Sequence, residues 1–209
     1  MGKIFAVGDI HGCLQKLKNL MNAIDINGQQ DMVVFIGDYI DRGPDPFGVV
    51  QFIIDFKRDK KNVICLTGNH EDIFICYLTY GIYKTAFYMN GGHTTLVSYN
   101  HPAEIEDIPR HHQVFFNSLL PYYETEGYIF VHAGLRPGVP LERQDKYDLL
   151  WIRSEFINSS CDFGKTVIFG HTGFSWPLIE ENKIGIDTGA VYGGRLTCIE
   201  LPDKKIYQA

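Results

Sequence analysis

Five short apolar runs in this sequence give way, within three residues, to glycine together with aspartate, asparagine or histidine. Ile4–Val7 leads into Gly8-Asp9-Ile10-His11-Gly12, and Met32–Ile36 into Gly37-Asp38-Tyr39-Ile40-Asp41-Arg42-Gly43. Val63–Leu66 is followed by Gly68-Asn69-His70-Glu71, Tyr128–Val131 by His132-Ala133-Gly134, and Thr166–Phe169 by Gly170-His171-Thr172. Runs this short, rich in Val, Ile and Phe, suit strands buried on both faces. Ile184–Ile186 and Leu196–Leu201 read the same way. Leu14, Leu17, Leu20, Met21 and Ile24 share one helical face between the first two runs. Asp45 and Pro46 then read as the N-cap and first residue of a second helix, which buries Val49, Val50, Ile53 and Ile54. The opening is therefore β-α-β-α-β. Asp9 and Asp38 stand 29 residues apart, Asp38 and Asn69 31, each about one βαβ repeat. In an α/β sheet such strand ends converge on one crevice, and the adjoining glycines allow sharp exits from the strands.

Four of the eight histidines, His11, His70, His132 and His171, lie at these strand ends. A lone histidine after a strand is ordinarily a hydrogen-bonded structural residue. Four of them joined by Asp9, Asp38 and Asn69 point instead to a metal site. Imidazole, carboxylate and amide donors without thiolate fit Mn, Fe or Zn in a hydrolytic centre better than structural zinc. The donors are too many for one catalytic ion, and two ions sharing a carboxylate would use them all.

The blocks Gly8-Asp9-Ile10-His11-Gly12, Gly37-Asp38 to Asp41-Arg42-Gly43 and Gly68-Asn69-His70-Glu71 resemble the three signatures of the phosphoprotein phosphatase family, within the calcineurin-like metallophosphoesterases. His132-Ala133-Gly134 and Gly170-His171-Thr172 resemble the later metal-ligand blocks. Trp151-Ile152-Arg153 and Ile186-Asp187-Thr188-Gly189-Ala190-Val191-Tyr192 are most similar to the bacterial and phage branch typified by phage lambda phosphatase. The resemblance runs from Lys3 to about Leu201. It implies an α/β fold (α+β in some schemes) with a central β-sandwich flanked by helices. It also implies two divalent ions, Mn²⁺ first and Fe or Zn as alternatives. Asp9 and His11 would bind one ion, Asn69, His132 and His171 the other, and Asp38 would bridge both. Arg42 and Arg153 would grip phosphate oxygens, Asn69 would also meet substrate, His70 would protonate the leaving oxygen, and Asp41 would orient His70.

The chemistry asks for these residue types independently. Two divalent cations neutralise phosphate charge and make hydroxide available near neutral pH. Arginine's planar fork suits phosphate oxygens. A protonated imidazole held by a carboxylate can donate to a departing oxygen. Plainer readings stand beside some of these. Asp41-Arg42-Gly43-Pro44 has the composition of a turn, and Arg153 could lie over an aromatic surface. Tyr192 could border the substrate or simply pack, and Glu71 reads as a helix cap.

From about residue 77 to 128 the strand-and-ligand rhythm stops. The segment is aromatic and partly helical, with Val114, Phe115 and Leu119 on a packed face. It reads as an accessory part of one domain spanning 1–209. Asn90-Gly91-Gly92-His93 reads as a turn that could line the cleft, and His111-His112 as solvated surface.

With 45% hydrophobic and 21% charged residues the chain is not compositionally disordered. A net charge of −6 argues against partners such as nucleic acid or anionic membranes. Five cysteines without a C-x-x-C pair suggest no disulfide framework, and there is no apolar run of membrane-spanning length and no signal-peptide pattern. A cytoplasmic monomer is the expectation. The activity expected first is a metal-dependent protein serine/threonine phosphatase acting on phosphoproteins or phosphopeptides through attack of a metal-bridging hydroxide. The alternative is a symmetrical dinucleoside tetraphosphate (diadenosine tetraphosphate) hydrolase. That class shares the metal blocks but usually has extra sequence toward the C-terminus, whereas this chain ends soon after Leu201. A third reading, a non-catalytic scaffold, sits poorly with a chain in which every ligand position is filled.

Overall fold

The alternation of side chains along β1 (Ile4–Val7) and β2 (Met32–Phe35) sets the layering of the whole molecule. Phe5, Val7, Val33 and Phe35 enter one core cluster, while Ala6, Val34 and Ile36 enter another. Both faces are apolar, so the sheet must be covered on both sides. The computed structural model describes residues 2–209.

After β1, α1 (Leu14–Ala23) buries Leu17, Leu20 and Met21. After β2, α2 (Pro46–Asp59) begins as its sequence predicts: Asp45 accepts a hydrogen bond from the Gly48 N–H at 2.8 Å, with Pro46 in the first turn. β3 (Val63–Cys65) leads into α3 (Asn69–Tyr80). The segment that follows carries α4 (Lys84–Met89), α5 (His93–Ser98), α6 (Arg110–Asn117) and β4 (Tyr122–Glu124). The second half contains β5 (Tyr128–Val131), α7 (Lys146–Trp151), α8 (Ser154–Ile157) and β6 (Thr166–Phe169). The chain closes with β7 (Leu178–Ile179), β8 (Lys183–Gly185), β9 (Thr197–Leu201) and β10 (Lys205–Gln208).

Two five-stranded sheets result, ordered β10-β9-β1-β2-β3 and β4-β5-β6-β8-β7. Pairs β1–β2, β2–β3, β5–β6 and β6–β8 are parallel, with Ile4 opposite Met32 and Tyr128 opposite Thr166. Ala6, Val34, Leu66, Phe130, Ile168, Ile184 and Ile199 form the buried layer between the sheets. The outer face of the first sheet packs under α1, α2 and the aromatic helices, and that of the second under Leu149, Ile152 and Phe156. This is a β-sandwich flanked by helices, the architecture that the resemblance implies.

Residues 77–128 bring Phe87, Leu96, Tyr99, Phe115 and Phe116 into the first core cluster. Two local readings change. β4 is a strand because Tyr122–Glu124 pairs antiparallel with β5. His112 is not surface: it is wholly buried, stacked on Phe47 at 4.5 Å between ring centroids, whereas His111 points outward. Neighbouring residues on a helix diverge, so one apolar face takes only one of the pair. Among the described residues no helix is long and apolar enough to cross a membrane, and all five cysteines are free thiols.

Candidate active site

The parallel strands end together, and the loops they feed are bonded to one another. Ile10 and His11 donate their N–H groups to the Asp38 carbonyl at 3.0 and 2.8 Å, and Gly170 donates to the His132 carbonyl at 2.8 Å. The backbone is strained where the chemistry-bearing side chains stand. His11, Asp38, Asp41, Arg42 and His171 have φ of 46°, 53°, 69°, 66° and 62°. Non-glycine residues seldom hold this left-handed conformation, and it persists only where surrounding structure over-determines it. Two glycines are required by close approach. A Cβ on Gly68 would run into Asp38 Oδ1, and one on Gly170 into Asp9 Oδ1.

Asp38 is the shared member of two donor groups: His11, Asp38 and His70 form one, and Asp38, His132 and His171 the other. Its Oδ2 lies 3.3 Å from His11 Nε2 and its Oδ1 3.4 Å from His132 Nε2. Each of these imidazoles is aimed from behind. His11 Nδ1 donates to the Ile40 carbonyl at 2.8 Å and His132 Nδ1 to the Ile36 carbonyl at 2.9 Å, which turns Nε2 toward Asp38. Asn69 Oδ1 is 3.0 Å from His132 Nε2. Asp9 uses Oδ2 to accept the His171 N–H at 3.0 Å, and its Oδ1 has no partner. His171 Nε2 is likewise buried and unpartnered. Orphaned donor atoms of this kind are expensive unless something binds them, so the residues present fit a pair of divalent ions.

The electrostatics agree. Burial opposes charge on Asp38, but His132, His70 and His11 outweigh it and hold the carboxyl well below the usual range. Burial, with Asp187 and Asp38 nearby, pushes Asp9 well above that range. Burial pushes His171 down to about 2 and lowers His132, leaving neutral imidazoles with free lone pairs.

His70 stands beside this cluster, its ring centroid 4.6 Å from that of His11. Its Nδ1 meets Asp41 Oδ2 at 2.6 Å, and its Nε2 is buried, unpartnered and 3.9 Å from Asp38 Oδ2. Arg42 NH1 reaches His11 Nε2 at 2.7 Å, and its guanidinium lies over the ring of the exposed Tyr192, 5.5 Å from the centroid. Arg153, exposed at the rim, donates to the His171 carbonyl at 2.8 Å and to Thr172 Oγ1 at 3.1 Å. All the site residues named from the sequence therefore gather at one end of the sandwich, with Tyr192 at its edge.

Sequence reasoning missed two contributors. Thr95, wholly buried on α5, bonds Asp41 through its hydroxyl at 2.5 Å and accepts the Asp41 N–H at 2.9 Å. Glu71 does more than cap α3. Its carboxylate accepts N–H groups from Gly68, Asp38 and Tyr39 at 2.9, 2.9 and 2.8 Å, tying the Asp38 loop to the helix. Burial and the neighbouring Asp38 push Glu71 up to about 8 against the pull of those donors. The Asn90-Gly91-Gly92 turn packs against the Arg42 loop: the Gly91 carbonyl accepts the Arg42 N–H at 3.2 Å.

Comparison with known proteins adds the following. A model of the family described as calcineurin-like phosphoesterase matches residues 2–197. Asymmetrical bis(5'-nucleosyl)-tetraphosphatase PrpE of Bacillus thuringiensis (strain Al Hakam) is 28% identical over 94% of this chain and 89% of its own length. Serine/threonine-protein phosphatase 1 of Salmonella typhimurium is 31% identical, over 93% of this chain and 89% of its own. A crystal structure assigned as a diadenosine tetraphosphatase superposes with a TM-score of 0.78 at 24% identity, covering 100% of this chain and 93% of that one, which speaks to the fold alone. These findings correct the expected substrate. Tetraphosphatases from several Bacillus strains, at 26–28% identity and 94–96% coverage of this chain, favour a nucleotide hydrolase over the phosphoprotein phosphatase. The physical reason is that the signature blocks build the metal site, which serves esters and anhydrides alike and does not encode what lies beyond the phosphate.

Proposed function

Because the chain belongs to the calcineurin-like phosphoesterase family, whose centres are dinuclear, we propose that it hydrolyses dinucleoside tetraphosphates. Two divalent ions bound at the Asp38 cluster, most simply Mn²⁺ with Fe or Zn as alternatives, would neutralise phosphate charge and lower the pKa of the attacking water. Asp9 and His11 would hold one, Asn69, His132 and His171 the other, and Asp38 would serve both. Arg42 and Arg153 clamp non-bridging phosphate oxygens in bidentate fashion. His70, its Nδ1 fixed by Asp41, presents Nε2–H to the departing phosphate oxygen as the P–O–P bond breaks and water is added. Tyr192 supports Arg42 through its ring face. The observation that carries the hydrolytic reading is the position of Asp38, one carboxylate oxygen toward each set of imidazoles. The substrate rests on the names of the tetraphosphatase relatives, which also specify asymmetrical cleavage. We accordingly place the break so that the products are a nucleoside triphosphate and a monophosphate, not the two diphosphates of a symmetrical enzyme.

The test is product analysis. Metal-stripped protein refilled with Mn²⁺ is given diadenosine tetraphosphate and the nucleotides are separated by ion exchange. ATP and AMP in equal amounts are expected. Two ADP would overturn the cleavage position. No turnover of the dinucleotide would overturn the substrate assignment, and no turnover of any phosphate ester or anhydride would revive the scaffold reading.

A further inference from the structure

A groove of about 530 Å³ is lined by residues of α3, α7 and the start of α4. Trp151, in its wall, meets His171 edge-on, 5.8 Å between ring centroids, so that wall adjoins the candidate metal ligands. Tyr147 stacks on Trp151 at 6.3 Å with a 20° interplanar angle. Tyr80 and Tyr83 line the same groove. These side chains are 67% (Tyr147), 70% (Tyr80) and 57% (Tyr83) exposed, although each is large and aromatic. Such a concentration on one surface marks a binding site more often than chance exposure does. Tyr83 also holds φ at 61°, a conformation that a bulky aromatic adopts only under constraint. The chain thus keeps an aromatic ring in open solvent at a conformational penalty.

The groove's charged residues, Lys146 and Asp72, form an ion pair with each other at 2.5 Å. The wall therefore offers little net charge to an anion and a good deal of ring surface to an uncharged planar group. Its volume lies in the range of small-molecule sites. A dinucleoside polyphosphate has that division of character: an anionic middle that needs cations and arginines, and two flat, uncharged ends that need aromatic faces.

We propose that this groove receives one nucleobase of the substrate, stacked against Tyr147 and Tyr83, while the polyphosphate reaches the Asp38 cluster. The proposal rests on the dinucleoside reading above and adds where one end of the molecule is held.

Tyr83→Ala and Tyr147→Ala test it, with Tyr83→Phe and Tyr147→Phe as controls that keep the ring. Base stacking on an aromatic is worth enough that each alanine variant should raise KM for diadenosine tetraphosphate about 5- to 100-fold, with kcat little changed. Activity on inorganic tetraphosphate should be unaffected, and the phenylalanine controls should behave as the parent. A binding readout runs in parallel. In the Trp176→Phe protein, loaded with Mn²⁺, Trp151 is the remaining tryptophan. Its fluorescence should be quenched by adenosine and not by ribose, and Tyr83→Ala should weaken that quenching. Dinucleotide turnover with unchanged KM in the alanine variants and no adenosine quenching overturns the groove and leaves the activity standing. Adenosine quenching without dinucleotide turnover overturns the activity and leaves the groove as a nucleoside site. Absence of both overturns both.

Discussion

Thr95 Oγ1 lies 2.5 Å from Asp41 Oδ1 and also accepts the Asp41 N–H at 2.9 Å, so one hydroxyl fixes both ends of the residue that orients His70. Asp41 itself sits at φ 69°. A side chain on so strained a backbone needs an external hold, and α5 supplies it from the segment outside the strand-and-ligand rhythm.

Replacing Thr95 by Val keeps the shape and removes the hydroxyl. One buried carboxylate oxygen then loses its donor, which should destabilise the fold by about 1–3 kcal/mol, read from a urea midpoint. The more telling measurement is the dependence of rate on leaving-group acidity across a set of phosphate esters. If Thr95 acts through His70, Thr95→Val should slow esters of poor leaving groups about 10-fold or more and those of good leaving groups much less. Thr95→Ser should restore the parent pattern. A uniform loss across the set would assign Thr95 a purely structural role.

Asp38 predicts a distinctive pattern of metal loss. The parent, reconstituted with manganese and desalted, should retain about two ions per chain by elemental analysis. Asp9→Asn weakens one side of the cluster and should leave about one. Asp38→Ala removes the carboxylate that faces both imidazole sets, so both ions should go. A retained ion in Asp38→Ala would show that the two sites do not share it.

How much of this was legible beforehand follows from what periodicity can and cannot carry. β1, β5 and β6 fall where their apolar runs do, because each is a run of buried residues bounded by a strand-ending loop. Asp9, Asp38, Asn69, His132 and His171 were legible because strand ends in an α/β sheet must meet. Thr95 was not. It belongs to no motif, and its value comes from a tertiary contact 54 residues away in sequence. Glu71 reads as a cap from its position on α3, whereas its hold on the Asp38 loop depends on how that loop folds back. His112 was misread because α6 is short and its buried face cannot be told from two adjacent histidines. The substrate was misread because the motifs describe the metals' surroundings, while discrimination lies in side chains around them.

The burial of His112 carries a pH prediction. Its Nδ1 meets Tyr99 Oη at 2.8 Å and its Nε2 meets Gln51 Oε1 at 3.1 Å, with Phe47 stacked on the ring. Burial, reinforced by the adjacent His111 and opposed by Asp55, pushes it down to about 4. In the unfolded chain the same imidazole titrates near 6.5. As pH falls through that value the unfolded state takes up the proton first. The contribution of His112 is therefore complete above about pH 6.5, declines between there and pH 4, and is level below, a loss of roughly 1–3 kcal/mol. Urea midpoints of the parent and of His112→Asn at pH 7.5 and pH 5 isolate it. The parent should lose more stability between the two pH values than the variant, and equal losses would contradict the assignment.

Lys183 is a second buried group whose removal separates stability from chemistry. Its side chain is 1% exposed, and Nζ donates to the carbonyls of Phe156, Ile157 and Ser159 at 3.0, 2.8 and 2.5 Å. Two of these carbonyls belong to α8 and all three lie at or just beyond its end, where only the Phe156 carbonyl also accepts a backbone N–H, that of Ser159 at 3.1 Å. An ammonium at the start of β8 thus closes that helix and secures it to the second sheet. The residue immediately before α8 is Arg153, whose guanidinium is placed at the rim by the His171 carbonyl. Lys183→Met preserves the apolar stem and takes the ammonium donor away from the Ile157 and Ser159 carbonyls, a loss of about 1–3 kcal/mol in a urea titration. The metal ligands are carried on other loops, so manganese content should be unchanged in the folded fraction. Loosening of α8 should reach the reaction through Arg153 and raise KM. Loss of bound metal in a folded Lys183→Met protein would show instead that α8 supports the donor cluster itself.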